Sequence, residues 1–220
     1  MKHRSLALAA FGMAALACGA QPAAAQLATG RSGSSSMTYL DASQIWPILD
    51  VYGACYAMRN KGAAFQLLAT QPNSPEEAKV YRKLFAKPYQ SCLGDVTALT
   101  GVPISMVRGA IAEGLYRKKV AVPAELIAGP LPADRRAKNL AEAARCYTAS
   151  NPGKVKSLLS DTKVATKEEA AAVEALMPHF AQCIPAGARQ LSVASTQIRY
   201  RLAEALLRMP PETTASAGNN

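Results

Sequence analysis

An internal repeat constrains the fold of this chain more than any other sequence feature. The stretch from Cys55 to Arg117 returns without a gap 91 residues later, from Cys146 to Arg208. The two cysteines of each copy are 37 positions apart. Such a period predicts two similar structural units. The matched positions include Cys55 and Cys146, Tyr56 and Tyr147, Leu67 and Leu158, Glu77 and Glu168, Cys92 and Cys183, Arg108 and Arg199, Glu113 and Glu204, and Arg117 and Arg208.

The N-terminus has the pattern of an export signal. Lys2 and Arg4 precede an apolar run, and three alanines end the segment before Gln26. This pattern predicts a signal peptide over residues 1–25, with cleavage before Gln26 and a periplasmic or secreted mature protein. The alternative is a lipoprotein attached through Cys18, which follows a loosely matching small-residue box. No later stretch is long and apolar enough to predict a transmembrane helix.

Four cysteines remain in the mature chain, an even number in a compartment where disulfides persist. If each copy keeps its own bridge, the pairs are Cys55 with Cys92 and Cys146 with Cys183. A metal site is not predicted, because the cysteines are far apart and His179 is the only mature histidine. No motif for an organic cofactor is present either.

The periodicity predicts an all-α protein made of two small helical subdomains, each with one disulfide. Residues 26–40 are predicted to be a flexible tether and residues 41–119 the first repeat. A linker follows at 120–132, then the second repeat at 133–209 and a disordered tail at 210–220. Helix starts are predicted at Ser74 to Glu77 and at Thr166 to Glu169, where a capping hydroxyl precedes acidic residues.

The last helix of each copy combines an apolar face with repeated charges. Val107, Ile111 and Leu115 are predicted to face inward, as are Ile198, Leu202 and Leu206. Glu113 with Arg117, and Glu204 with Arg208, stand four residues apart and can form ion pairs along the helix.

Arg108 and Arg199 are candidate anion-binding residues, since a guanidinium grips a carboxylate or phosphate at two points. We favour the structural interpretation, in which these charges tie the last helix to the first within each unit. Tyr56 and Tyr147 are predicted to be core residues beside the disulfides rather than the lining of a pocket. His179 is not repeated, so we predict no catalytic residue and lean against an enzyme.

These residues resemble a group of exported bacterial helical proteins with tandem cysteine-paired repeats and no assigned activity. The resemblance is carried by Cys55 or Cys146, by Glu76-Glu77 or Glu168-Glu169, by the turn from Cys183 to Gly187, and by the helix from Arg108 to Arg117. It implies export and duplication, and it brings no activity to this chain.

The net charge of the full chain is +10, and it falls to +8 when cleavage of the signal peptide removes Lys2 and Arg4. A basic exported protein favours anionic envelope components as partners, and nucleic acid is not expected outside the cytoplasm. The favoured hypothesis is a non-enzymatic protein that binds another envelope component or has a structural role. The alternative is a binder of small anionic ligands, or an enzyme, that uses a groove between the two repeats.

Overall fold

A computed structural model describes residues 27–29, 38–40, 42–85, 92, 102–128, 137–184 and 193–210. The predicted signal peptide with Cys18, and the predicted tail beyond Pro210, lie outside the described residues. Two three-residue strands, β1 (Leu27–Thr29) and β2 (Thr38–Leu40), pair antiparallel within the segment predicted as a tether. All the remaining regular structure is helical, so the predicted all-α class is confirmed.

In the described part of the chain, eight α-helices form two halves of four helices each. The first half contains α1 (Ala42–Arg59), α2 (Lys61–Ala69), α3 (Pro75–Phe85) and α4 (Ile104–Arg117). The second half contains α5 (Leu140–Ser150), α6 (Pro152–Asp161), α7 (Lys167–Phe180) and α8 (Ser195–Leu207). A short 3-10 turn, Ala124–Leu126, lies in the predicted linker and buries Leu126 in the core.

The third helix of each half begins with the predicted cap. Ser74 Oγ accepts a hydrogen bond from the Glu77 N–H at 3.0 Å, and Glu77 Oε2 accepts one from the Asn73 N–H at 2.7 Å. Both bonds satisfy backbone N–H groups that a helix start leaves free.

The same two bonds recur at α7, with one change from the predicted register. Thr166 Oγ1 accepts from the Glu169 N–H at 3.2 Å, and Glu169 Oε2 accepts from the Ala165 N–H at 2.6 Å. The structural counterpart of Glu77 is therefore Glu169, which is buried. The predicted match of Glu77 with Glu168 was wrong, because α6 is one residue longer than α2, which shifts the register of the residues that follow it.

The last helices of the two halves, α4 and α8, pack against each other at the centre of the molecule. All six residues predicted to face inward are buried. Gly109 permits a close approach at the crossing, since a Cβ there would clash with the side chain of Tyr200. Tyr200 and Leu207 of α8 join the core of the first half, so the halves are packed together rather than separate.

The structure contains the disulfides Cys55–Cys92 and Cys146–Cys183, which are the two pairs expected if each copy keeps its own bridge. Cys146 lies in α5, and Cys183 lies in the 3-10 turn directly after α7. That bridge therefore ties the end of the third helix of the second half to its first helix. Disulfides persist in oxidising compartments, which places the protein outside the reducing cytoplasm. In the part of the chain that the structure describes, no helix is long and apolar enough to cross a membrane.

Candidate functional site

Arg108, one of the two predicted anion-binding residues, is completely buried in α4. Its Nε and Nη2 donate to Glu204 Oε1 at 2.9 and 2.7 Å. It also donates to the Leu67 and Leu68 carbonyls at 2.7 and 2.8 Å, which lie in the last turn of α2. Glu77 lies 3.2 Å from Nη1. This guanidinium therefore neutralises carboxylates from both halves and satisfies carbonyls that the end of a helix leaves free.

Arg199 occupies a matching position in α8 and is equally buried. Its Nε and Nη2 donate to Glu113, with its closest contact at 2.8 Å. It also donates to the Leu158 and Leu159 carbonyls, both at 3.2 Å, in the last turn of α6. Glu169 is farther away, with Oε1 at 3.9 Å from Nε. That oxygen has no hydrogen-bond partner among the described residues.

The two buried arginines exchange partners across the centre of the molecule. Arg108 of the first half binds Glu204 of the second, and Arg199 of the second binds Glu113 of the first. Such reciprocity is the signature of an isologous contact, in which residue i meets j and j meets i. The prediction that these arginines tie the last helix to the first within each unit was therefore wrong: within its own half each arginine bonds the second helix, and its carboxylate partner on α4 or α8 lies in the other half.

The shorter-range ion pairs follow the prediction. Arg117 contacts Glu113 at 2.6 Å, and Arg208 contacts Glu204 at 3.4 Å, both four residues apart. Arg117 also pairs with Asp50 of α1 at 2.9 Å, which does tie the last helix of the first half to its first helix. Tyr56 and Tyr147 are core residues, as predicted, and His179 is exposed near the end of α7.

An open cleft of about 340 Å³ lies between the halves. Its walls are residues 69–72 at the end of α2, the first turns of α5 from 139 to 145, and the face of α8 from 201 to 208. A smaller cleft of about 130 Å³ shares part of this lining and extends to Ser105 and Met106 of α4. Neither cleft is lined by Arg108 or Arg199. The charged residues that line the larger cleft are Glu142, Arg145, Arg201, Glu204 and Arg208.

The electrostatics of the cleft centre on Glu204. Burial by itself would raise the pKa of this carboxyl, but Arg108, Arg201 and Arg208 together hold it below its usual value. Burial lowers the pKa of Arg208, and the neighbouring charges of Arg108 and Arg145 lower it further, against the attraction of Glu204. The arginines are thus crowded enough to repel one another, with one buried carboxylate among them.

The corresponding place on the other side of the molecule is closed. There α1 approaches α4 so closely that a Cβ on Gly53 would clash with the Ala110 carbonyl, and one on Gly114 would clash with Gly53. Asp50 and Arg117 form their ion pair in this region, and Val164 joins the core of the first half.

The cleft residues with the greatest chemical interest were not singled out in the sequence. At the spacing of the repeat, Arg145 and Arg201 stand where the first copy has Ala54 and Ala110. Comparison of the copies selects the residues that agree, and these two differ. A search for positions that differ could have found them, since each has a small residue in one copy and arginine in the other.

Among the described residues, no cluster of three or more histidine, cysteine, aspartate or glutamate side chains could hold a metal ion. Comparisons with protein-family models, with curated proteins and with solved structures found no match to this chain. The function must therefore be argued from the cleft itself.

Proposed function

We propose that this chain is an exported, non-enzymatic binding protein of the cell envelope and that its ligand occupies the cleft between the two halves. The cleft is the observation on which the proposal depends. Its volume of about 340 Å³ falls in the range of small-molecule sites, and eight of its twelve lining residues are polar or charged beside four small apolar ones. Export is supported by the two disulfides and by the N-terminal signal pattern.

The architecture proposed for this function is a fused, duplicated unit. It is supported by the exchanged pairs of Arg108 with Glu204 and Arg199 with Glu113, and by the crossing of Gly109 with Tyr200, its own counterpart in the repeat. A residue that contacts its own counterpart lies on the symmetry axis of an isologous pair. Fusion of such a pair places a crevice between the halves, where one copy can diverge while the other maintains the fold.

Filling the cleft tests the proposal. Ala141 lines both clefts, so Ala141→Trp places an indole in them without changing any charge. The mature protein is screened by thermal shift against a library of small metabolites, neutral and charged. Compounds that raise the melting temperature of the wild type are expected to lose this effect in the variant, because a ligand that binds only the folded state stabilises it by mass action.

The matched control is Ala171→Trp, which adds the same side chain at an exposed position on α7. It is expected to leave every ligand effect unchanged. If a stabilising compound acts equally on wild type, Ala141→Trp and Ala171→Trp, it binds elsewhere. If no compound stabilises the wild type and the two variants unfold at the same temperature as it does, the cleft is not a small-molecule site.

A further inference from the structure

We infer that the cleft ligand is a small organic anion, and that Arg145 and Arg201 contact its anionic oxygens. This inference rests on the proposed function and adds the chemical class of the ligand and the residues that recognise it. The shared chemistry is a carboxylate or phosphoryl group, which a guanidinium binds through two parallel N–H donors. The site is different from the buried pair Arg108 and Arg199, which do not line the cleft.

Arg201 is the better placed of the two residues. Its side chain is only 10% exposed, yet its one hydrogen bond in the described part of the chain is a long contact of 3.5 Å with Glu204 Oε2. A guanidinium has five N–H donors. None of its nitrogens is among the buried atoms that lack a partner, so its unused N–H donors reach solvent and can donate to a ligand in the cleft.

Two other charged residues of the wall are held by the protein itself. Arg208 already donates to the Leu126 carbonyl at 3.1 Å and to Glu204 at 3.4 Å, so it is a fixed part of the wall. Glu204 is held by Arg108 from behind, at 2.7 Å. Three arginines and two glutamates line the cleft, and one of those glutamates is neutralised by a fourth arginine. The excess charge facing a ligand is therefore positive.

The matching place in the first half shows that these arginines are not needed for the fold. Ala54 and Ala110 stand at the positions of Arg145 and Arg201 at the repeat spacing, and α1 packs tightly against α4 there. The same helix arrangement thus forms with alanine at both positions. The first half has two alanines at a closed crossing, and the second half has two arginines at an open one. A binding site for an anion requires this change.

The test uses the double variant Arg145→Ala/Arg201→Ala, which gives the second half the residues of the first. The control, Arg59→Ala/Arg82→Ala, removes the same charge from exposed positions on α1 and α3. Calorimetric titrations of the mature chain with citrate, succinate, inorganic phosphate and glycerol phosphate are made at low ionic strength, because salt screens such contacts. Glucose is the neutral probe. Circular dichroism verifies that each variant is folded.

The expected result is binding of at least one anion to the wild type and to the control, with affinity lower by about tenfold or more in the double variant. Preference for citrate and succinate would identify a carboxylate ligand, and preference for the phosphates a phosphoryl ligand. The charge-neutral variant Ala141→Trp is expected to block the same anion, which keeps the test valid if the arginine variant does not fold.

Three outcomes would overturn the inference. Equal weakening in the double variant and in the control would mean that anions respond to overall charge and not to this site. Anion binding that survives both Arg145→Ala/Arg201→Ala and Ala141→Trp would place it outside the cleft. Binding of neutral compounds alone, blocked by Ala141→Trp, would refute the anionic ligand while leaving the proposed cleft function in place.

Discussion

The α1–α4 crossing of the first half and the α5–α8 crossing of the second use the same arrangement of helices with different side chains. In the first, Gly53 and Gly114 remove the Cβ atoms at the contact, and the backbones meet. In the second, Ala144 and Ala205 stand at the repeat-equivalent positions, with Arg145 and Arg201 beside them. Each Cβ and each long side chain holds the helices farther apart, since interhelical distance depends on the residues at the contact.

The comparison teaches that one fold can combine a closely packed helix crossing in one half with a cleft beside the matching crossing in the other. Both halves retain the buried arginine, the capped third helix and the disulfide, which are the features that hold the helices in place. At the crossing the halves differ, since Gly53 and Gly114 of the first half stand where the second half has Ala144 and Ala205. Stability and binding can therefore be changed separately by mutation.

The largest expected effect comes from breaking the exchanged ion pairs that both halves share. Arg199→Met leaves the buried Glu113 with Arg117 as its remaining ion-pair partner, so that its charge is less compensated, and we expect a loss of about 3–5 kcal/mol in the free energy of unfolding. Arg108→Met should cost a similar amount through Glu204. Urea unfolding measures both losses.

Two causes can contribute to this loss: the broken charge pair with Glu113 and the lost carbonyl contacts of Arg199. The double variant Arg199→Met/Glu113→Gln separates them. It removes the uncompensated charge along with the arginine, so it should recover part of the stability lost in the single variant. A double variant that is as unstable as the single one would show that the carbonyl contacts of Arg199, and not the charge pair, hold the second half together.

An intermediate effect on stability is expected from adding a methyl group at the crossing of α1 and α4. Gly53→Ala introduces a methyl group where the Ala110 carbonyl lies, and such overpacking costs about 1–3 kcal/mol. The control Gly62→Ala lies in α2 with open space around it, and it should stabilise by up to about 1 kcal/mol because alanine favours the helix. Thermal unfolding distinguishes the two signs. Equal changes would refute the close contact at Gly53.

The smallest effect concerns Glu169, whose counterpart Glu77 contacts its arginine more closely. Burial raises the pKa of Glu169 above its usual value of 4.5. The folded state then binds the proton more tightly than the unfolded state does. The free energy of unfolding should therefore fall as pH rises from the unfolded pKa through the higher folded one.

Glu169→Gln is expected to remove this part of the pH dependence, with a change within about 1 kcal/mol at neutral pH. Urea unfolding between about pH 4 and pH 7 measures this dependence, across the range in which carboxyl groups titrate. An unchanged slope in Glu169→Gln would mean that this carboxyl is not the group responsible.

The local features of the chain could be predicted from the sequence. Helix α7 begins at Lys167 after the Thr166 cap, as predicted, because a capping hydroxyl and acidic first-turn residues act within about four positions. The inward faces of α4 and α8 follow from the 3.6-residue period alone. The disulfide partners followed from the equal spacing of the cysteines in the two copies.

Tertiary structure alone decided which carboxylates Arg108 and Arg199 would meet. Charge and spacing along α4 and α8 are compatible with partners in the same half or in the other. The choice depends on how the helices cross, and Gly109 at the contact with Tyr200 allows the approach that brings Glu113 and Glu204 within reach. The match of Glu77 with Glu169 likewise required three dimensions, since one extra residue at the end of α6 shifts the sequence register and leaves the contacts unchanged.

By itself the sequence determined the helices, their caps, their buried faces and the cysteine pairing, because each depends on residues close together or on a repeated spacing. The tertiary structure decided the exchange of arginines and the position of the cleft. A cleft has no local signature, since residues 69–72, the start of α5 and α8 come together only after packing. Whether such a crossing closes or stays open is set by the volume of the side chains that meet there.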